Sequence, residues 1–124
     1  MSIRLSDREL DVMAVLWARG SGTVAEVRKD LGDPLAYTTV LTVLRTLEEK
    51  GFVRHADEGK MHRYRPLVAR ERAGRSALSR MVEKLFEGSP ELLITQLVSD
   101  RKLSNEEIRR LKRILDERLK GGAK

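Results

Sequence analysis

Residues 36–47, Ala-Tyr-Thr-Thr-Val-Leu-Thr-Val-Leu-Arg-Thr-Leu, constrain the fold of this chain more than any other stretch. At 100° per residue Val40, Val43, Leu44 and Leu47 fall on one side of a helix. Thr38, Thr42, Arg45 and Glu49 fall opposite, flanked by Thr39 and Thr46. β-branched residues are mediocre helix formers, so five threonines or valines among residues 38–43 need a reason beyond propensity. One reason is tight packing, with hydroxyls bonding back to their own helix. The other is that short side chains let the helix sit deep in a groove, where hydroxyls and a guanidinium meet base edges.

The neighbouring segments favour the second reason. Ser6 and Glu9 form a capping-box pattern, and Leu10, Met13, Leu16 and Trp17 then recur at helical spacing until Gly20-Ser21-Gly22. Thr23 and Glu26 repeat the pattern for a short helix through Leu31, stopped by Gly32-Asp33-Pro34. The third helix is expected over about 35–50, with Gly51 as its stop. Residues 52–56 and 61–67 read as two strands around Asp57-Glu58-Gly59-Lys60, with Pro66 ending the second. Three helices in helix-turn-helix order followed by a basic hairpin predict a winged helix.

Three more helices are expected. One spans about Ala69 to Phe86, one starts at Ser89-Pro90-Glu91, and the last is capped by Ser104 and Glu107. Their apolar seam comprises Leu78, Met81, Leu85, Leu93, Leu97, Ile108, Leu111, Leu115 and Leu119. Each buried Leu or Ile contributes about 1.5–3 kcal/mol, too much to leave exposed over three helices. The seam therefore folds back on the first domain or pairs with a second chain. The two-fold dimer is preferred because it suits palindromic DNA. The expected fold class is mainly α with a small β-hairpin. It combines a winged helix-turn-helix DNA-binding domain (1–68) with a C-terminal helical dimerisation region (69–124).

Charge refines the choice of partner. The net charge of +6 favours a polyanion, yet residues 1–68 carry 11 Lys and Arg against 10 Asp and Glu. The case for nucleic acid rests on local clustering of Arg45, Lys50, Arg54, Lys60, Arg63 and Arg65. Thr38, Thr39, Thr42 and Arg45 are the candidates for base readout, with the helix at about 35–50 in the major groove. Thr23, Tyr37, Arg54, Lys60, Arg63 and Arg65 are the candidates for the DNA backbone, the wing at 52–66 supplying most of them. Thr23 doubles as a helix cap, and Tyr37 lies at the edge of the apolar face.

Other functions find less support. With no cysteine there is no disulfide, thiolate metal site or thiol nucleophile, and the chain suits a reducing cytoplasm. No glycine-rich phosphate loop or catalytic spacing of Ser, Asp and His points to an enzyme, and no cofactor is implied. The longest apolar run, Val12 to Ala18, is too short to span a bilayer. His55 and His62 would face each other across the hairpin if its loop has two or four residues, but a metal site wants three or four ligands, so no metal is assigned. Two alternatives stand beside a DNA-binding regulator. One is a ligand-gated winged-helix regulator with an effector site between the dimerisation helices. The other is a winged helix used for protein contacts only.

A family resemblance extends this reading. Leu5-Ser6-Asp7-Arg8-Glu9-Leu10-Asp11-Val12-Met13 with Leu16-Trp17 is followed by Thr23-Val24-Ala25-Glu26-Val27, then by Ala36-Tyr37-Thr38-Thr39-Val40 with Leu44-Arg45-Thr46-Leu47. Lys50-Gly51-Phe52-Val53 and His62-Arg63-Tyr64-Arg65-Pro66 complete the series. In order and spacing these residues resemble the penicillinase-repressor (BlaI/MecI/CopY-type) family, strongly over 5–67 and more loosely to the last helix. The resemblance implies a bacterial transcriptional repressor that binds a dyad-symmetric operator as a homodimer. In such families a membrane sensor-protease often relieves repression by triggering cleavage at an Asn-Phe pair. Here Gln96-Leu97 stands at the matching place, which argues against that partner. A copper-responsive branch carries paired cysteines near its C-terminus. This chain has none, so copper sensing through thiolates is excluded.

Overall fold

Local capping starts most of the helices in the computed structural model, which describes residues 4–121. The Ser6 side chain accepts from the Glu9 N–H while Glu9 accepts from the Ser6 N–H, opening α1 (Asp7–Arg19). Thr23 and Glu26 do the same for α2 (Val24–Asp30), and Ser104 and Glu107 for α6 (Asn105–Lys120). Ser89 caps α5 (Pro90–Asp100), with proline in its first turn. The remaining helices are α3 (Tyr37–Glu49) and α4 (Arg70–Leu85).

Three strands form one antiparallel sheet in the order β1-β3-β2: β1 (Gly22–Thr23), β2 (Val53–Glu58) and β3 (Met61–Pro66). The hairpin turns on Gly59-Lys60, with Glu58 opposite Met61. Gly59 has φ of +64°, which a tight two-residue turn of this kind needs at its first position. β1 lies on the other side of β3, pairing Gly22 with Tyr64 and Thr23 with Arg63.

Val12, Met13 and Leu16 of α1, Val24 and Val27 of α2, and Val40, Leu44 and Leu47 of α3 make one core. The wing closes it with Phe52, Val53 and Tyr64, and α4 contributes Ala73. The Trp17 indole N–H donates to the Val68 carbonyl at 2.8 Å, tying α1 to the chain leaving the wing. These contacts explain why the first compact unit runs through Arg80, into α4, rather than stopping at residue 68.

The second unit, Met81–Lys124, is of another kind. Its helices α5 and α6 bury no residue at all, although α6 is strongly amphipathic. Leu97, Ile108, Leu111, Leu115 and Leu119 are exposed in the single chain, as are Leu78, Met81 and Leu85 of α4. Leu93 is half-buried.

Candidate nucleic-acid interface

The core residues of α3 fix which way its other face points. With Val40, Leu44 and Leu47 fully buried, Thr38, Thr39, Thr42 and Arg45 are all exposed. The Thr42 hydroxyl donates to the Thr38 carbonyl at 2.9 Å, the back-bond expected of a structural threonine. That bond uses the hydroxyl proton, and the oxygen of this exposed residue can still accept a hydrogen bond. Thr38, Thr39 and Arg45 have no side-chain hydrogen bond or ion pair among the described residues.

The N-terminus of α3 differs from that of α2. Ala36 occupies the cap position with no side-chain acceptor, and no acidic residue stands in the first turn. The early N–H groups therefore carry their positive end of the helix dipole unneutralised, beside the exposed Tyr37. At α2, by contrast, Thr23 is buried and its side chain and N–H are both used in the capping box. Thr23 is placed as a structural cap.

The wing divides its cations into two sets. Arg63 is held: its guanidinium donates to Glu26 at 2.9 Å, to Ser21 and to Glu58. Glu26 also takes Arg19 at 3.1 Å, so α1, α2 and the wing share one ionic network. The Arg63 guanidinium and the Thr23 N–H hold the Glu26 carboxyl down to about 2. Arg63 is thus engaged inside the protein. Lys50 of the sequence cluster is likewise engaged, with the buried Glu9 at 2.8 Å. Burial alone would push Glu9 up, but Lys50 and the Ser6 N–H hold its carboxyl below the ordinary range.

Arg54, Lys60 and Arg65 form the second set, exposed and with no carboxylate partner among the described residues. Arg54 stands directly opposite Arg65 across β2 and β3. Like charges at opposed positions destabilise a hairpin, so this pair costs stability unless an anion lies over it.

The opposite face of the hairpin carries His55, Asp57, His62 and Tyr64. The turn on Gly59-Lys60 sets His55 against Tyr64 and Asp57 against His62, so the two imidazoles are diagonal neighbours rather than facing ones. Their ring centroids are still only 4.3 Å apart. Glu48 of α3 reaches over to His55, 2.8 Å from Nδ1 and 3.2 Å from its backbone N–H. Despite the opposing effect of burial, these bonds hold the Glu48 carboxyl below the usual range. The sequence showed two histidines here; the fold adds Asp57 and Glu48.

Among the described residues no helix is long and apolar enough to cross a membrane. The family model described as Penicillinase repressor matches residues 5–117. The penicillinase repressor of Bacillus licheniformis is 29% identical over 116 residues, 92% of this chain and 91% of that protein. The transcriptional regulator BlaI of Mycobacterium tuberculosis is 42% identical over 71 residues, 55% of this chain and 51% of that one. Among solved structures, the DNA-binding domain of the repressor BlaI superposes with a TM-score of 0.50 at 34% identity. The match covers 56% of this chain and 90% of that domain.

Proposed function

This chain belongs to the penicillinase repressor family, and on that ground we propose that it represses transcription as a homodimer on a dyad-symmetric operator. The observation that carries the DNA-reading role is the exposed face of α3. Thr38, Thr39, Thr42 and Arg45 are exposed on a helix whose other face is fully buried and whose first turn has no side-chain cap, and the wing that follows carries Arg54, Lys60 and Arg65 without a carboxylate partner among the described residues. In this reading α3 enters the major groove, where Arg45 donates two hydrogen bonds to a guanine edge and threonine methyls pack on thymine methyls. The first-turn N–H groups of α3 and Tyr37 meet phosphate, as do Arg54, Lys60 and Arg65 of the wing. An anion over Arg54 and Arg65 relieves their mutual repulsion, so the hairpin gains in the complex what it loses alone.

The dimer rests on the exposed seam of α4, α5 and α6. Helices with an apolar stripe and no buried residue are stabilised by burying that stripe against another surface. A second copy supplies the same stripe in a two-fold arrangement, with α3 of each protomer presented to one half-site. Gln96 and Leu97 lie within α5, and nothing in this mechanism depends on cutting there.

Selection from a pool of randomised duplexes tests the proposal. It should enrich an inverted repeat whose half-site centres lie about 10–10.5 bp apart or at a multiple of that spacing. Enrichment of a lone half-site, or of nothing, would contradict it.

A further inference from the structure

We propose that the wing holds a divalent transition-metal ion of the zinc class on His55, Asp57 and His62, with Glu48 of α3 as the outer carboxylate. This lies beyond the repressor reading, and metal binding to the chain does not require DNA.

The three side chains come from adjacent, cross-paired positions on one face of β2 and β3, and each offers a ligand atom within 4.8 Å of the others. A tetrahedral zinc ion about 2.0–2.1 Å from each ligand sets those atoms roughly 3.3 Å apart. Reaching that spacing takes a closure of at most about 1.5 Å, and Asp57 and His62 are exposed enough to make the adjustment by side-chain rotation.

The donor set is right for the ion. Two imidazoles with one carboxylate match the mixed nitrogen and oxygen sites that zinc takes, and a fourth position stays open to water. The arrangement around His55 is the independent argument. Metal-bound histidines almost always donate their other ring N–H to a carboxylate, which fixes the tautomer and the ring plane. Glu48 already accepts from His55 Nδ1 at 2.8 Å, so the lone pair is left on Nε2. The same carboxylate accepts from the His55 backbone N–H, holding this part of the wing on the end of α3. Before any metal arrives, His55 is oriented and β2 is fixed as a ligand's scaffold should be. His62 Nδ1 lies 3.0 Å from Asp57 Oδ1, so these two converge on the same spot.

Filling the site would join both strands of the wing to the recognition helix through Glu48 and add two positive charges beside Lys60. The wing would then be stiffer and more cationic, and duplex binding would tighten with zinc.

The test is calorimetric titration of the chelator-treated 124-residue chain with zinc chloride, repeated with cobalt(II) to follow the visible spectrum. One zinc per chain is expected, with cobalt absorption of four-coordinate type. His62→Gln should abolish uptake, and Glu48→Gln should weaken it about 10-fold. Thermal melts of both variants confirm that they are folded. No uptake by the wild type, or uptake unchanged in folded His62→Gln, would overturn the proposal. Duplex binding by the chelator-treated protein is read separately, so failure here leaves the repressor reading intact.

Discussion

Arg45 and Lys60 are both exposed cations without carboxylate partners among the described residues, yet they should fail differently when removed. Arg45→Ala is expected to weaken binding to the selected operator by about 1–3 kcal/mol and to relax one base position. Titrations on matched and scrambled duplexes check this, and equal losses on both would remove Arg45 from base readout. Lys60→Ala should weaken all duplexes alike and lower the salt slope by about one unit, since a single phosphate contact is lost. Arg63→Ala offers the contrast. Its guanidinium is committed to Glu26 and Glu58, so the main loss should be thermal stability. Glu26 gives that network a pH signature. Its folded value of about 2 lies below the ordinary 4.5, so its contribution is present above about pH 5 and disappears as pH falls toward 2. The melting temperature of the wild type should drop over that window more steeply than that of Glu26→Gln. Parallel curves would show that the network does not stabilise the fold.

At the scale of elements, α3 serves two masters: one face in the core, the other at the proposed groove. Leu44→Ala should therefore destabilise the reader domain by about 2–5 kcal/mol in chemical denaturation, with the exposed face untouched. A change under about 0.5 kcal/mol would mean that α3 is not held by this core. The sequence made much of this visible, because capping and periodicity are local. The boxes at Ser6/Glu9, Thr23/Glu26 and Ser104/Glu107 are all formed, and α3 begins two residues later than its pattern suggested. What stayed hidden is non-local. Two residues of β1 carry no periodicity, and their pairing to β3 is set by the fold. Arg63 and Glu26 are 37 positions apart, so the engagement of that cation had no sequence signal. The hairpin register depended on which two residues form the turn, and a shift of turn position changes every partner. That is why Asp57, rather than a facing histidine, stands opposite His62.

For the molecule as a whole, the reader unit is built around its own core while the C-terminal unit leaves its seam open. Repression by a dimer requires that seam to be covered. Leu111→Glu with Leu115→Glu should yield a monomer by sedimentation and reduce operator affinity steeply, while random-duplex binding per protomer changes little. A double variant that stays dimeric would move the interface elsewhere. The most direct test of the central claim is a fluorescence-anisotropy titration of the wild-type chain on a palindromic and a scrambled duplex at two salt concentrations. Saturation at two protomers per duplex, tighter on the palindrome and weakened by salt, is the predicted result. Equal affinity for both duplexes, or no binding at low salt, would contradict it.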